Sequence, residues 1–312
     1  DGPLAGAQTP GYVSGSIWMT MAWQIAGNLL MAGLLVGAAW RLPAIRRWWA
    51  LGLLGGVLAR FPVLAPWITM VLLGADLIRR RESRPATAFV TAGSIAFLGL
   101  SSIGHLLMGA AAVVLAAATG GAPARRYAIG AGFFVSLLAG WLAVGQTPGS
   151  LVTWLGTALP AVWNTSPLWR IHDLAPLKGW AAAAGCGLVV AVAFFLRTPG
   201  RRDLLPSAAF LLIAAALAWK TQALQPFGHA GIYFATVAAA TFVMLHAGMR
   251  TTSGVAVAAL ALGGLHHWQP LTFIDALGHF NRQFILNVRM IRALPELRTS
   301  LQDQLGQLRN LH

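Results

Sequence analysis

Charge is what this sequence has least of. Only 10% of its 312 residues are Asp, Glu, Lys or Arg, while 57% are hydrophobic and the mean hydropathy is +0.67. A water-facing domain usually carries about 25% charged residues. So few charges cannot cover a surface in water, which excludes an ordinary soluble domain and leaves lipid as the main solvent. Acidic residues are scarcer still, with eight in the chain. The single cysteine, Cys186, lies in an apolar run, so no internal disulfide is available. No basic segment precedes the first apolar run, Ile17–Trp40, and that run is too long for the core of a secretory signal. Walker, Rossmann, zinc-ligand and Ser-His-Asp motifs are all missing, as are internal repeats and low-complexity segments.

What is there is a series of apolar runs of roughly 15–24 residues, the pattern of an all-α, polytopic transmembrane helical bundle. The net charge of +14 is carried by short clusters between these runs: Arg41/Arg46/Arg47, Arg79/Arg80/Arg81/Arg84, Arg125/Arg126, Arg197/Arg201/Arg202 and Arg250. That distribution follows the positive-inside rule and argues against nucleic acid as a partner. If every cluster is cytoplasmic, the spans can be traced. Ile17–Trp40 crosses inward. Between Arg47 and Arg79 the chain must return to the side it left, so two short arms, Trp48–Ala59 and Phe61–Ile78, meet at a break at Arg60-Phe61-Pro62. A second pair, Ala86–Ser101 and Ile103–Thr119, meets at Ser101–His105. These arms are short for a bilayer core of about 30 Å, and must be tilted, re-entrant or buried by neighbours.

Tyr127–Gly145 then crosses outward and Gln146–Lys178 forms a long external loop. Gly179–Leu196, Leu204–Trp219, His229–Met249 and Gly254–His267 complete the set, with Lys220–Gly228 as a second external loop. The map has about 8–10 membrane helices, with short broken hairpins among them and both ends external, as expected in a bacterial inner membrane. It divides into an external loop at 1–16, a transmembrane helical domain at 17–268 and an external tail at 269–312. The tail is amphipathic: Phe284, Val288, Ile291 and Leu294 share one helical face, and Leu297, Leu301, Leu305 and Leu308 another. It reads as a helix pair lying on the membrane lipids or as a docking element for protein partners.

Charge inside or at the mouth of a membrane domain is costly, so the exceptions are the candidates for chemistry. Asp76, Glu82 and Asp203 sit near basic clusters and read as local ion pairs. Asp275, Glu296 and Asp303 belong to a solvated face of the tail. Asp1 and Asp173 remain as the carboxylates of the external loops, and are the candidate catalytic groups. The Trp-rich loop around Asp173, with Arg170 and Lys178, reads either as an interfacial belt or as the gate to a polar cavity. Arg60, at a hairpin break, suits a phosphate or snorkels to the interface. Ser102 and His105 form a polar site at the second break, where the His reads as a packing residue or a base. Lys220 and His229 bracket an external loop and either hold a phosphate or anchor helix ends. His266 and His267 are adjacent, point to different helix faces and do not suggest a metal. No cofactor is called for, and a divalent cation is left open.

Three loop-sized stretches carry a family resemblance. DGPLAGAQTPGYVSGSIW, with Gly2-Pro3-Leu4, resembles the Y-G-P-L-G-F-L stretch of large bacterial membrane proteins with a GT-C-like architecture, and more broadly the P-P-L segment of lipid-linked-sugar glycosyltransferases. Asp1 stands where those proteins commonly carry Tyr. Leu142–Val162 resembles the G-Q-x-L-x-x-L-x-x-Y-L segment before their large external loop. Leu217–Phe234 is similar to their F-K-H-G-F-V-R-x-D-G-H-H segment, which carries over Lys220 and His229 but not the Arg, the Asp or the other histidines. The resemblance implies transfer of a sugar from a polyprenyl-phosphate donor on the external face. Arg60, Lys220, His229 and Arg170 would lie on the phosphate side. It also implies a further helix and an external loop with a catalytic acid before Gly2. Two other classes stay open: a non-catalytic membrane subunit that scaffolds a complex, and a transporter or lipid flippase with discontinuous helices.

Overall fold

The computed structural model describes residue 33 and residues 65–143, 145–164, 175–222 and 230–268. Asp1, Arg60, Arg170, Asp173 and His229 lie outside these residues. So do the break at Arg60–Pro62 and the whole tail from 269. The described residues are helical throughout, without a strand, and all except Gly33 belong to one compact unit running from Leu64 to Pro270.

The helices in chain order are α1 (Ala65–Arg79), α2 (Pro85–Gly99), α3 (Ile103–Ala118), α4 (Pro123–Ala143) and α5 (Pro148–Asn164). They continue with α6 (Ala175–Arg197), α7 (Leu205–Gln222), α8 (Ala230–His246) and α9 (Thr251–Trp268). A 3₁₀ turn, Arg202–Leu204, precedes α7. Pro at the first position starts α2, α4 and α5, where its missing N–H costs nothing. Thr147 caps α5 by accepting the Ser150 N–H at 3.3 Å.

Among the described residues three stretches are long and apolar enough to cross a membrane: Pro123–Ala143, Lys178–Arg197 and Arg202–Lys220. Only 33%, 33% and 39% of their apolar windows are buried within the protein. The remainder is not polar. Along α4, Phe134 is 68% exposed, with Val135, Leu138 and Leu142 beside it; α6 exposes Val189, Val190 and Phe194. Such faces have a favourable partner in hydrocarbon and none in water, which supports a membrane protein.

The short helices answer the question their length raised. α1 packs on α3, α7 and α8, while α8 also packs on α6, α7 and α9. From Gly231 to Thr241 every residue of α8 is buried, so this helix is apolar on all sides because neighbours cover all sides. Small residues permit the close approaches. A Cβ on Gly132 would meet the Phe89 backbone at 2.9 Å, where α4 lies along α2, and one on Gly109 would meet Ile95 at 2.9 Å.

Two boundaries differ from the sequence expectation. The crossing expected at Tyr127–Gly145 begins at Pro123, so Arg125 and Arg126 sit in its first turn rather than in a loop. The segment expected as a long loop at Gln146–Lys178 opens with helix α5. Its Leu151, Trp154, Leu155 and Ala158 are partly covered, at helical spacing, while Val152 and Leu159 are exposed. Trp141 anchors it: the indole N–H donates to Thr147 O at 2.9 Å, and the Trp141 and Trp154 rings lie 5.5 Å apart. An amphipathic stripe interrupted by polar residues escapes a search for long apolar runs.

Candidate functional site

Two ends of the unit carry its charged residues. At one end lie the turns that follow α1, α3, α6 and α8, each with arginine in or beside it. Arg81 donates to Asp203 O at 2.7 Å, tying the α1–α2 turn to the 3₁₀ turn before α7. Arg201 donates to Ala247 O at 2.5 Å, tying the α6–α7 connection to the α8–α9 turn, and its guanidinium lies 5.4 Å from the Phe195 ring centroid. Asp76 pairs with Arg80 at 2.7 Å, one helical turn away. The expected local pairs of Glu82 and Asp203 do not form among the described residues; Asp203 contributes its carbonyl instead.

Arg125 is the residue that the sequence left in a cluster and the structure sets apart. Its side chain is 1% exposed. Nη2 donates to Leu77 O at 2.6 Å, Nη1 to Ala116 O at 3.2 Å and Gly120 O at 3.3 Å, and Nε to Ser83 Oγ at 3.2 Å. Leu77 and Ala116 lie in the last turns of α1 and α3, where carbonyls lack a backbone N–H partner; Ala116 O also accepts from Thr119 Oγ1 at 3.2 Å. One guanidinium therefore caps two helices, with no carboxylate involved; the carboxyl-end dipoles supply the compensating charge. A signal was present: Arg125 precedes Ile129 and Phe133 at intervals of four, on the buried stripe of α4.

The opposite end holds the described candidates Ser102, His105 and Lys220. Ser102 is the N-cap of α3; its Oγ accepts the His105 N–H at 3.2 Å and lies 2.5 Å from His105 Nδ1. His105 is 6% exposed, and its ring stands edge-on to Trp67 at 4.7 Å. Cap and ring contact together join the amino ends of α1 and α3.

Lys220 is half-buried near the end of α7. Its level follows from a shared contact: a Cβ on Gly74 would fall on the Phe210 ring and 3.0 Å from the Ala112 methyl. Lys220 lies ten residues beyond Phe210, and Ser102 ten before Ala112. At about 1.5 Å per residue both are about 15 Å from that contact, in the same direction, within about one turn. Lys220 and the amino ends of α1 and α3 thus share one level. All three carry positive charge or partial charge, which suits an anion. The structure describes none of the candidate carboxylates. Among the described residues no group of three or more His, Cys, Asp or Glu is placed to hold a metal.

No protein-family model, curated protein or solved structure matches the chain.

Proposed function

We propose that the chain is a multi-pass protein of the bacterial inner membrane, with Asp1 and His312 on the external side. In this reading it transfers a sugar from a polyprenyl-phosphate donor, as its resemblance to GT-C enzymes implies. The observation that carries the reading is the common level of Lys220 and the amino ends of α1 and α3. A carboxylate, Asp173 or Asp1, takes the acceptor hydroxyl proton. The hydroxyl oxygen bonds to the anomeric carbon as the bond from that carbon to the phosphate oxygen breaks. The polyprenyl phosphate departs with its new charge held by Lys220, Arg60, Arg170 and His229.

The test is binding of a polyprenyl phosphate to the purified full chain in lipid nanodiscs. Lys220→Gln removes one charge-assisted hydrogen bond and is expected to weaken binding about tenfold in protein whose melting shows it folded. Equal binding by both proteins would retire the assignment.

A second reading, a non-catalytic subunit of a membrane complex, is favoured by one observation. Ser102 Oγ is taken up by the cap of α3 and by His105 Nδ1, and the His105 ring packs edge-on against Trp67. Recovery of the chain with a stoichiometric partner, together with no transfer by either, would put this reading first.

A further inference from the structure

The α1–α2 turn carries a charged feature that the bundle does not consume. Arg79, Arg80, Arg81, Glu82, Ser83, Arg84 and Thr87 line an open depression of about 590 Å³. Four arginines in six positions repel one another and would spread apart in water, unless something anionic repaid their convergence. The turn is nevertheless held in place. Arg81 donates to Asp203 O at 2.7 Å, Arg125 to Ser83 Oγ at 3.2 Å, and the Ser83 N–H to Arg80 O at 3.1 Å. Arg80 is engaged by Asp76. Arg79 and Arg84 are exposed, and their guanidinium groups make no hydrogen bond or ion pair among the described residues.

The helix that starts here adds to the same sign. Arg84 is the N-cap of α2 and makes no side-chain cap hydrogen bond, because a guanidinium has no acceptor to offer. Pro85 follows at the first helical position, and Thr87 reaches the lining. The positive end of α2 therefore opens into a depression that already holds two uncommitted arginine forks. Planar guanidinium forks match the tetrahedral oxygens of a phosphate and bind them in pairs.

We propose that the 79–87 turn is a binding site for a phosphate-bearing anion, held by Arg79 and Arg84 over the amino end of α2. Two sources present that group at a membrane surface: the headgroup of an anionic phospholipid and a soluble phosphate. The proposal does not depend on the reading of the opposite end of the bundle.

The experiment measures the melting midpoint and apparent affinity of the full chain in detergent. The additions are short-chain phosphatidylglycerol, short-chain phosphatidylcholine or inorganic phosphate, each tested on the wild type and on Arg79→Gln/Arg84→Gln. Both substituted side chains are exposed and unbonded, so the double variant should melt like the wild type without additives. Each arginine near a lipid surface adds roughly a factor of five to anion affinity, so the pair is worth about 30-fold. A phosphatidylglycerol response that the double variant loses identifies a lipid headgroup site; a phosphate response that it loses identifies a soluble ligand. Glu82→Gln, which removes the carboxylate from the lining, is expected to tighten either response several-fold. Equal responses of wild type and double variant overturn the proposal. So does a phosphatidylcholine response as large as that to phosphatidylglycerol, and so does no response to either anion.

Discussion

The two ends of the bundle solve the same problem in opposite ways. Both contain helix termini with backbone groups that their own helices leave unsatisfied. At the arginine-rich end cations serve the carbonyls of the helices that finish there: Arg125 reaches the last turns of α1 and α3, and Arg201 reaches Ala247. At the other end a neutral side chain serves the amides where α3 begins, with Ser102 accepting from His105 N–H. The difference teaches where the charge of this molecule is structural. Donors that bridge several helices are locked into the fold, whereas a cap within one helix leaves its neighbours free to do other work.

Removing Arg125 should break that comparison most severely. Arg125→Ala leaves Leu77 O without its buried partner, leaves Ala116 O with the Thr119 hydroxyl alone, and opens a hole beneath Ser83. A loss of about 3 kcal/mol is expected. Thermal melting of the purified protein in detergent reads it directly, and a midpoint within a degree of wild type would show that the clamp is dispensable. Arg125→Lys should recover only part of the loss, since one ammonium cannot span the carbonyls reached by a fork.

Ser102→Ala tests the other end on the same scale. A lost N-cap costs about 1 kcal/mol, so this variant should melt clearly above Arg125→Ala. Ser102→Asp, which restores an acceptor at a helix amino end, should return most of the difference. If Ser102→Ala proved as damaging as Arg125→Ala, the asymmetry between the ends would be wrong.

The smallest effect is expected where charge sits on the surface of the arginine-rich end. Asp76 and Arg80 are 37% and 41% exposed. Their i,i+4 pair is worth about 0.5 kcal/mol or less, and salt screens it. Asp76→Asn should shift the melting midpoint barely, and less still at high salt. A large, salt-independent shift would mean that Asp76 does more than pair with Arg80.

How much was legible depends on what each residue contacts. The start of α3 at Ile103 and the break before it were readable, because Ser102 is a cap and the flanking runs are apolar. α6, α7, α8 and α9 fall close to the apolar runs for the same reason. Helix α5 was missed because its stripe is short and carries Thr, Gly and Pro among its apolar residues. Arg125 was read with Arg126 as one cluster, although the two neighbours point to opposite environments: one is buried and the other exposed. Of the candidate site, Lys220 could be named from its helix end. That it shares a level with Ser102 required the contact of Phe210 with α1 and α3.

The sequence by itself determined the solvent and most of the described helices. Apolar runs with so few charges leave lipid as the main solvent, and intrahelical hydrogen bonds satisfy the backbone there from residues close in the chain. Tertiary structure alone decided which short helices are shielded by neighbours, as α8 is. It also decided which arginine among many becomes part of the core. Those outcomes depend on carbonyls and side chains brought from distant positions, such as Leu77 to Arg125, and local periodicity carries no record of such partners.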